Sequence, residues 1–455
     1  MRRISLILLT LCSFQVCSQP VSFEQYQVPG LDKRQIKHAD IVPYIDKTKQ
    51  YKEVEVSQVG ESAQGRGIYQ FKVGKGKTKI LMWSQMHGDE PTATGAVFDL
   101  LNMIHQRPQW LASWQDEISL YLVPMINPDG AELSQRYNIQ DIDINRDARR
   151  LQTPEGRVLM SLAKSIKPDF GFNLHDQNAY YGAGNSGNTA TISLLAPAFN
   201  AAKEVNDSRR RAMQLIGVLK QVGDEIIPGH MGRYDDTFAP RAFGDNFSKM
   251  GISTILIESG AYPNDPNRQV ARKTNLAMLH AAISSIADQS YLQQTTDAYL
   301  SIPFNNSNAF KDVIVSNLTV NTGAQSYLLD IGMRLNRSLA TGRIDEVGDL
   351  STFDAFSRVD ATGWKYQACK SYPLSGDKTL QLTKARYIEL LKQGYCQFSG
   401  ERDSIKNQSG YPIVFSLKMQ AERPLRGMPA ALMMVKQDER RVLINSELID
   451  LPRGE

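Results

Sequence analysis

The chain has 455 residues, of which 42% are hydrophobic and 22% are charged, and its formal net charge is +4. These values are ordinary for a globular protein, and the length allows two or three domains. Because the charges nearly balance and no Lys/Arg-rich block occurs, we expect no binding to nucleic acid.

The N-terminus has the pattern of an export signal. Arg2 and Arg3 precede an apolar run over residues 4–11, which is too short to span a bilayer in the mature protein. A small-residue cleavage site at Ser18 predicts a signal peptide over residues 1–18 and a periplasmic or secreted protein. A lipoprotein anchored through Cys17 is an alternative that the bulky residues before this cysteine disfavour. No later apolar run is long enough to form a transmembrane segment.

After a lead-in segment over residues 19–50, strand-like runs alternate with helical stretches as far as residue 290. This alternation predicts an α/β fold with a mixed, mostly parallel sheet sandwiched by helices. In such sheets, functional residues gather beyond the carboxyl ends of the strands. The predicted strands cover residues 79–84, 118–126, 170–174, 192–195 and 254–257, and the predicted helices cover residues 95–105, 154–166, 201–222 and 268–286.

The sequence changes character after residue 288. A polar stretch over residues 291–310 reads as a linker, and a smaller β-rich domain is predicted over residues 311–455. No histidine lies beyond His280 and no motif there carries chemistry, so we expect an accessory role in stability, docking or substrate placement. The predicted strands cover residues 313–320, 326–330, 413–417 and 430–435, and one helix covers residues 383–393.

Two cysteines, Cys369 and Cys396, remain in the mature chain. An even number of cysteines in an exported protein predicts one disulfide. Two buried free thiols are the alternative.

The residues that carry chemistry begin with His87 and Glu90, which follow the first predicted parallel strand, and continue with His175 after a later one. Two imidazoles and one carboxylate form the ligand set of a catalytic zinc that keeps one coordination position open. Each residue alone is commonly an ordinary core or surface residue, so the order of the whole set matters. Asn127-Pro-Asp-Gly130 reads as a tight turn, and Arg136, Asn145, Arg146 and Glu258 complete the series.

This ordered set resembles the zinc carboxypeptidases of the M14 type, from near residue 57 to near residue 287. The resemblance implies that His87, Glu90 and His175 hold one Zn²⁺ ion. It also implies that Glu258 is the general base, which takes a proton from the zinc-bound water and passes it to the leaving amine. A salt-bridged strand glutamate is the alternative for Glu258, although a carboxylate that ends an Ile-Leu-Ile run is costly to bury without a role or a partner.

The same resemblance assigns the substrate contacts. Arg146 and Asn145 would grip the terminal carboxylate, for which a guanidinium fork is suited. Arg136 would polarise the scissile carbonyl and stabilise the oxyanion, with a solvated loop arginine as the alternative. Tyr234 is our candidate for the tyrosine that closes over the substrate in many members of this family.

Several departures from the best-known digestive members, including an unfamiliar extension of the Asn145-Arg146 motif over residues 147–155, argue against a transfer of their specificity. The segment over residues 233–245 is unusually charged, which favours a polar or charged substrate side chain unless the segment is only a hydrated surface loop. Asp176 follows the predicted zinc ligand His175, and it could either accept a hydrogen bond from a ligand histidine or cap a turn.

We therefore interpret residues 51–290 as the catalytic domain of an exported zinc metallocarboxypeptidase acting on peptides with a free C-terminal carboxylate. Cell-wall peptides with D- or γ-linked residues are the hypothesis for the substrate. One alternative is a zinc deacylase of N-acyl amino acids that resembles aspartoacylase and succinylglutamate desuccinylase. Another is a zinc- or cell-wall-binding protein without catalysis. The sequence does not indicate an oligomeric state.

Overall fold

The structure is a computed structural model that describes residues 22–323, 325–336, 341–375, 378–416 and 421–451. The predicted signal peptide and Cys17 lie outside the described residues. Within these ranges, no helix combines the length and apolarity that a membrane span requires.

The first part of the chain forms one large sheet with helices on both faces. The strands of this part, all of which except β6 belong to the large sheet, are β1 (Val54–Glu61), β2 (Gly67–Val73), β3 (Thr78–Ser84), β4 (Ile118–Val123), β5 (Phe170–Asp176), β6 (Gly182–Ala183), β7 (Ile192–Leu195), β8 (Met231–Arg233) and β9 (Ser253–Ser259). Its helices are α1 (His38–Thr48), α2 (Thr92–Gln106), α3 (Pro108–Ala112), α4 (Pro128–Leu133), α5 (Pro154–Ile166), α6 (Asp207–Ile226), α7 (Phe243–Lys249) and α8 (Gln269–Ala287).

The sheet has eight strands in the order β1-β2-β4-β3-β5-β9-β7-β8. The pairs β3–β4, β3–β5, β5–β9 and β7–β8 are parallel, and the other three pairs are antiparallel. This topology confirms the predicted mixed, mostly parallel sheet. The carboxyl ends of β3, β5 and β9 consequently lie side by side at one edge.

Each central strand is buried on both faces, which explains its nearly continuous apolar sequence. In β3, Ile80 and Met82 pack into the core beneath α2 and α8, whereas Leu81 and Trp83 pack into a second core with α5 and α7. Residues alternate between the two cores because successive side chains of a strand point to opposite faces. The two helical layers thus sandwich the sheet, as predicted.

Two local predictions were wrong. The helix expected over residues 201–222 begins only at Asp207, because Asn206 caps it by accepting a hydrogen bond from the backbone nitrogen of Arg209 at 2.9 Å. The tight turn expected at Asn127 is instead the start of α4. Pro128 occupies the first turn, where its missing N–H is not needed, and the Asn127 side chain caps the helix.

The remainder of the described chain is rich in short strands, which confirms the β-rich character predicted for it. Its strands are β10 (Asn305–Asn306), β11 (Phe310–Thr322), β12 (Gln325–Asn336), β13 (Thr341–Gly348), β14 (Asp354–Asp360), β15 (Lys365–Gln367), β16 (Lys370–Pro373), β17 (Leu380–Thr383), β18 (Tyr395–Ser399), β19 (Ile405–Gln408), β20 (Ala431–Lys436), β21 (Glu439–Ile444) and β22 (Glu447–Leu451). Its helices are α9 (Thr296–Leu300) and α10 (Lys384–Lys392). Seven of the strands form a path in the order β13-β12-β11-β15-β20-β21-β22, with β14 beside β11.

The strand predicted over residues 413–417 is wrong for its described residues. Val414 and Ser416 exchange backbone hydrogen bonds with Phe398, and Phe415 forms an isolated bridge with Phe398 instead of a strand ladder. The predicted disulfide is confirmed between Cys369 and Cys396, whose Cα atoms are 5.3 Å apart. Both cysteines are buried in the core beneath α10.

The two parts of the chain are joined by specific contacts. The predicted linker contains α9 and β10, and Tyr299 and Ile302 are buried in the core of the first part. Strand β10 pairs with β6, which follows the carboxyl end of β5. The Tyr180 hydroxyl group, in the same loop, donates a hydrogen bond to Asp312 on β11 at 2.6 Å. The β-rich part therefore holds the loop that follows His175.

Candidate metal centre and active site

The loop that carries His87 and Glu90 connects β3 to α2, and a second loop packs against it. Gln85 adopts a left-handed backbone conformation with φ of 47°, and its side-chain amide donates to the carbonyl of Gly88 at 2.9 Å. A Cβ atom at Gly88 would lie 2.0 Å from the backbone of Gly130. The loop can therefore approach the start of α4 this closely only with glycine at position 88.

His175 and Glu258 come from neighbouring parallel strands. They are partners in the register of β5 and β9, so both side chains lie at the carboxyl edge of the sheet. The strand pairing thus brings together two residues that are 83 positions apart in the sequence.

The three predicted zinc ligands converge on one point. Nδ1 of His87 lies 2.8 Å from Oε1 of Glu90, and Nδ1 of His175 lies 2.8 Å from Oε2 of the same carboxylate. One ligand atom from each residue lies within 4.8 Å of the other two, and all three residues are buried. This is the donor set of a mononuclear zinc site with an open position.

The partners of the Nε2 atoms of the two histidines indicate whether the residues fit a metal bound at the Nδ1 atoms. Nε2 of His87 lies 3.1 Å from Oδ1 of Asp143, which would fix the tautomer that leaves Nδ1 free to bind a metal. Nε2 of His175 lies 3.3 Å from the side-chain amide nitrogen of Asn145. Metal binding through Nδ1 of His175 would place the ring proton on Nε2, so this amide would have to turn. The residues otherwise fit zinc.

The electrostatics of the cluster favour a bound cation. Burial would lower the pKa of His87, but the carboxylates of Glu90 and Asp143 raise it to about 9. Burial would likewise raise the pKa of Glu90, but His87 and His175 hold it well below its usual range. Carboxylates thus surround the imidazoles, which is the environment that stabilises positive charge.

Arg136 lies beside the cluster, as its predicted role requires. Its guanidinium group donates to Oδ2 of Asp143 at 3.2 and 3.0 Å, and Nη1 lies 3.1 Å from both Oε1 of Glu90 and Nδ1 of His87. The arginine is thus held by Asp143 with one end directed at the predicted metal position, and it is not a solvated loop residue.

One cavity of about 610 Å³ contains all the predicted site residues. Asn145, Arg146, Tyr234 and Glu258 line it together with the three predicted zinc ligands and Arg136. Asn145 is fixed by the backbone nitrogen of Phe243, which donates to its Oδ1 at 2.9 Å, whereas Arg146 is exposed.

Burial raises the pKa values of both Glu258 and Tyr234. Burial raises the pKa of Glu258 well above its ordinary value, and the nearby charge of Glu90 adds to this shift. Burial also raises the pKa of Tyr234, with a further contribution from Glu258. The Tyr234 hydroxyl group is 2.9 Å from that of Tyr181, so the phenol remains neutral and hydrogen-bonded inside the cavity.

Only part of the charged segment over residues 233–245 faces the cavity. Asp236 turns away to bind Arg209 at 2.7 Å and Lys203 at 2.8 Å. Asp235 and Asp245 line the cavity. Burial raises the pKa of Asp245 to about 6, against the lowering effects of the Ala239 backbone N–H and Arg146.

Asp176 does not contact a ligand histidine through its carboxylate. That group accepts a hydrogen bond from Thr92 at 2.7 Å and forms ion pairs with Arg268 at 3.2 Å and Arg34 at 3.4 Å. Its backbone nitrogen donates to Oε2 of Glu90 at 3.2 Å. The carboxylate that supports a ligand histidine is instead Asp143.

Sequence reasoning missed three residues at this site. Asp143 stands two positions before Asn145, and that spacing was the only signal for it. Asp89 lies between His87 and Glu90 and lines the cavity, and its buried Oδ1 accepts no hydrogen bond from the described residues. Arg34 reaches the cavity from the lead-in segment, where no pattern distinguishes it.

The α/β sheet brings two histidines and a glutamate together beyond the carboxyl ends of its strands, and these residues could hold one metal ion. Residues 41–187 match the family model described as zinc carboxypeptidase, Peptidase_M14. Over these residues the chain is similar to the zinc carboxypeptidases. The match includes His87, Glu90, Arg136, Asn145, Arg146 and His175, whereas Tyr234 and Glu258 lie beyond it.

Individual relatives cover only part of the chain. Carboxypeptidase 2 of Trichophyton rubrum is 25% identical over 188 residues, which are 40% of this chain and 33% of the relative. Carboxypeptidase SOL1 of Arabidopsis thaliana is 26% identical over 103 residues, 20% of this chain and 21% of the relative. The chain spans about a third of the length of the fungal relatives it matches.

Solved structures match over slightly more than half of the chain. A metallo-carboxypeptidase from Burkholderia cenocepacia is 15% identical, with a TM-score of 0.46, and the match covers 57% of this chain and 71% of that one. A metallo-carboxypeptidase from Pseudomonas aeruginosa, in complex with (2-guanidinoethylmercapto)succinic acid, is 19% identical with a TM-score of 0.45 and covers the same shares.

Proposed function

We propose that the protein is a zinc-dependent metallocarboxypeptidase that hydrolyses the C-terminal peptide bond of peptides. One observation carries the proposal. A single cavity contains a His-Glu-His cluster, the carboxyl group of Glu258, and the pair Asn145 and Arg146, which can bind a carboxylate. The match of residues 41–187 to the zinc carboxypeptidase family model supports the same function.

The ion and the protein residues divide the chemistry between them. Zinc bound by His87, Glu90 and His175 would supply a Lewis acid that polarises a carbonyl group and acidifies water. Glu258 would act as general base and later return the proton to the leaving amine. Burial raises the pKa of this carboxyl group above its ordinary value, which makes its carboxylate a stronger base.

Two arginines would bind the substrate. Arg146 and Asn145 would grip the terminal carboxylate and so restrict cleavage to the last peptide bond. Nη1 of Arg136 would stabilise the negative charge that develops on the scissile carbonyl oxygen. Tyr234, which lines the same cavity, would cover the terminal residue.

Asp245 suggests a preference for a cationic terminal side chain. Its carboxylate lines the cavity and senses the charge of Arg146. With a pKa of about 6, it is charged at pH 7 and mostly neutral at pH 5. We expect the kcat/KM for a peptide ending in Lys, relative to one ending in Leu, to fall about tenfold over this range, since a charged hydrogen bond is lost. Taking the ratio of the two kcat/KM values removes the effect of groups whose titration changes the cleavage of both peptides equally.

Asp245→Asn should remove both the preference for Lys and its pH dependence. Asp116→Asn, an exchange of the same kind at a carboxylate that is 65% exposed on the surface, is the matched control and should keep both. A lysine preference that persists in Asp245→Asn at pH 7 would assign the selectivity to another residue.

We further propose that the protein is exported and that cell-wall peptides are its substrates. The predicted signal peptide supports export, and the charged lining of the cavity supports a polar substrate. Cleavage of ordinary peptides without any cleavage of muropeptides would argue against this substrate class.

The direct test incubates the purified protein, with its zinc content measured, with ordinary peptides, cell-wall muropeptides and N-acyl amino acids. We expect about one zinc per chain and the release of single C-terminal residues, identified by mass spectrometry. A chelator should abolish the release, and zinc should restore it. Mg²⁺ should not, because it prefers a shell of oxygen ligands. Turnover of N-acyl amino acids alone would favour the deacylase alternative, and bound zinc without turnover would favour a binding role.

A further inference from the structure

A second cavity of about 890 Å³ adjoins the candidate active site. The two cavities share Arg34 and Asn178 in their walls, so one opens beside the other. Asn145, Arg146 and Asp245 line only the first cavity. The second cavity therefore begins at the side of the site that lacks the proposed carboxylate-binding residues.

Both parts of the chain build this second cavity. Tyr180 and Tyr262 belong to the first part, whereas Leu335 on β12 and Phe356 on β14 belong to the β-rich part. Phe356 stacks on Phe310 with ring centroids 5.3 Å apart and is still 38% exposed.

Contacts between the two parts fix this wall. The Tyr180 hydroxyl group donates to Asp312, and the guanidinium group of Arg334 lies 4.3 Å from the centre of the Tyr180 ring. The wall is thus preformed, so little conformational entropy would be lost when a ligand binds.

The groups that this cavity offers to a ligand are mainly apolar. Its three buried or partly buried charges, Arg34, Asp265 and Arg268, already have partners, and Arg34 pairs with Asp176. Arg268 donates to the carbonyls of Ser259 and Gln177 and pairs with Asp176. Asp265 accepts hydrogen bonds from the backbone nitrogens of Gln269 and Val270 at the start of α8. The uncharged lining includes the polar residues Gln35, Asn178 and Asn264, but its largest apolar surfaces are the side chains of Tyr180, Tyr262, Leu335 and Phe356, which suit apolar or aromatic side chains.

The direction in which a peptide would bind indicates which part of it would occupy the second cavity. If the terminal carboxylate binds Asn145 and Arg146 and the scissile carbonyl lies at the His-Glu-His cluster, the upstream residues must leave on the remaining side. Arg34 and Asn178 stand there, at the opening into the second cavity.

We propose that the second cavity binds apolar side chains of the substrate upstream of the bond to be cleaved, so that the β-rich part takes part in substrate selection. This inference rests on the proposed carboxypeptidase function. The inference assigns the β-rich part a role in substrate selectivity. Phe356, which lies outside the residues that match the family model, becomes a specificity-determining residue.

The test compares zinc-loaded full-length protein on three substrates with the same last two residues. These are an N-blocked dipeptide, a hexapeptide with Phe at its upstream positions, and a hexapeptide with Ser there. We expect kcat/KM for the Phe peptide to exceed that for the Ser peptide by at least about tenfold, the ratio that burial of one aromatic side chain produces. Phe356→Ala should reduce this ratio to within about twofold of unity. Turnover of the dipeptide serves as the internal reference for a correctly folded active site.

Leu328→Ala is the matched control, because Leu328 is an apolar residue of β12 that is 65% exposed and does not line the cavity. It should keep the full Phe preference. A native ratio near unity, or a ratio that survives Phe356→Ala, would overturn the inference while dipeptide cleavage leaves the proposed function standing. Failure to cleave any of the three peptides would refute the proposed function and this inference together.

Discussion

Replacing Glu258 with glutamine is expected to lower kcat by a factor of about 10² to 10⁴, the usual contribution of a general base. The amide has nearly the shape of the carboxyl group but cannot accept and return a proton. Glu258 is the register partner of His175 on β9 and is not one of the three clustered ligand residues. Zinc content should therefore stay at about one ion per chain.

The measurement is steady-state kinetics on a peptide that the native protein cleaves, together with metal analysis of both proteins. Glu225→Gln, on the exposed face of α6, is the same exchange away from the cavity and should retain native kinetics. Activity of Glu258→Gln within about threefold of native would exclude Glu258 as the base, since general-base catalysis contributes at least about 10².

Replacing Arg272 with methionine is expected to lower the free energy of unfolding by about 3–5 kcal/mol, the typical result of removing one partner from a buried ion pair. Arg272 and Asp99 are both buried, and the guanidinium group donates to the two carboxylate oxygens at 2.7 and 2.6 Å. Methionine would leave the Asp99 carboxylate in the core without its counter-charge.

This ion pair also holds the lead-in segment on the first part of the chain. The backbone nitrogen of Val28 donates to Asp99 at 2.7 Å, and the carbonyl of Val28 accepts from Arg272 at 3.0 Å. The segment then continues to Arg34, which lines both cavities. Loss of the pair should therefore weaken the anchoring of a residue at the opening between the two cavities.

Urea unfolding of native and variant proteins measures the effect. Lys49→Met removes one partner of an ion pair whose side chains are 50% and 63% exposed, and it should change the stability by less than about 0.5 kcal/mol. The double variant Asp99→Asn/Arg272→Met removes both charges and keeps an acceptor for Val28. It should be more stable than Arg272→Met alone, and a single variant within about 1 kcal/mol of native would contradict the expectation.

Sequence alone identified the residues whose chemistry and local position both point to the site. His87, Glu90, His175 and Glu258 each follow or end an apolar run, and parallel strands bring their carboxyl ends to one edge. The structure places these four residues in one cavity, because β3, β5 and β9 are neighbouring parallel strands. The alternation of apolar runs likewise predicted the mixed sheet with helices on both faces.

Only the tertiary structure shows which of the charged side chains face the cavity. Asp236 and Asp245 lie in the same charged segment, but Asp236 pairs with Arg209 and only Asp245 lines the cavity. Asp143 contacts Nε2 of His87, although nothing in the local sequence distinguishes it from other loop aspartates. The carboxylate of Asp176 pairs with Arg268 and Arg34 and does not contact a predicted ligand histidine. These partners are distant in sequence, so no local pattern records them.

The cavity between the two parts of the chain is the clearest example of a feature that the sequence could not predict. Periodicity and residue chemistry predicted a sheet, a metal site and a separate β-rich region, because each of these depends on neighbouring residues or on a known ligand set. The wall formed by Tyr180, Leu335 and Phe356 depends on how two separately patterned regions pack, through contacts such as Tyr180 with Asp312. Sequence by itself determined the chemistry of the site, and only the packing of distant segments decided what surrounds it.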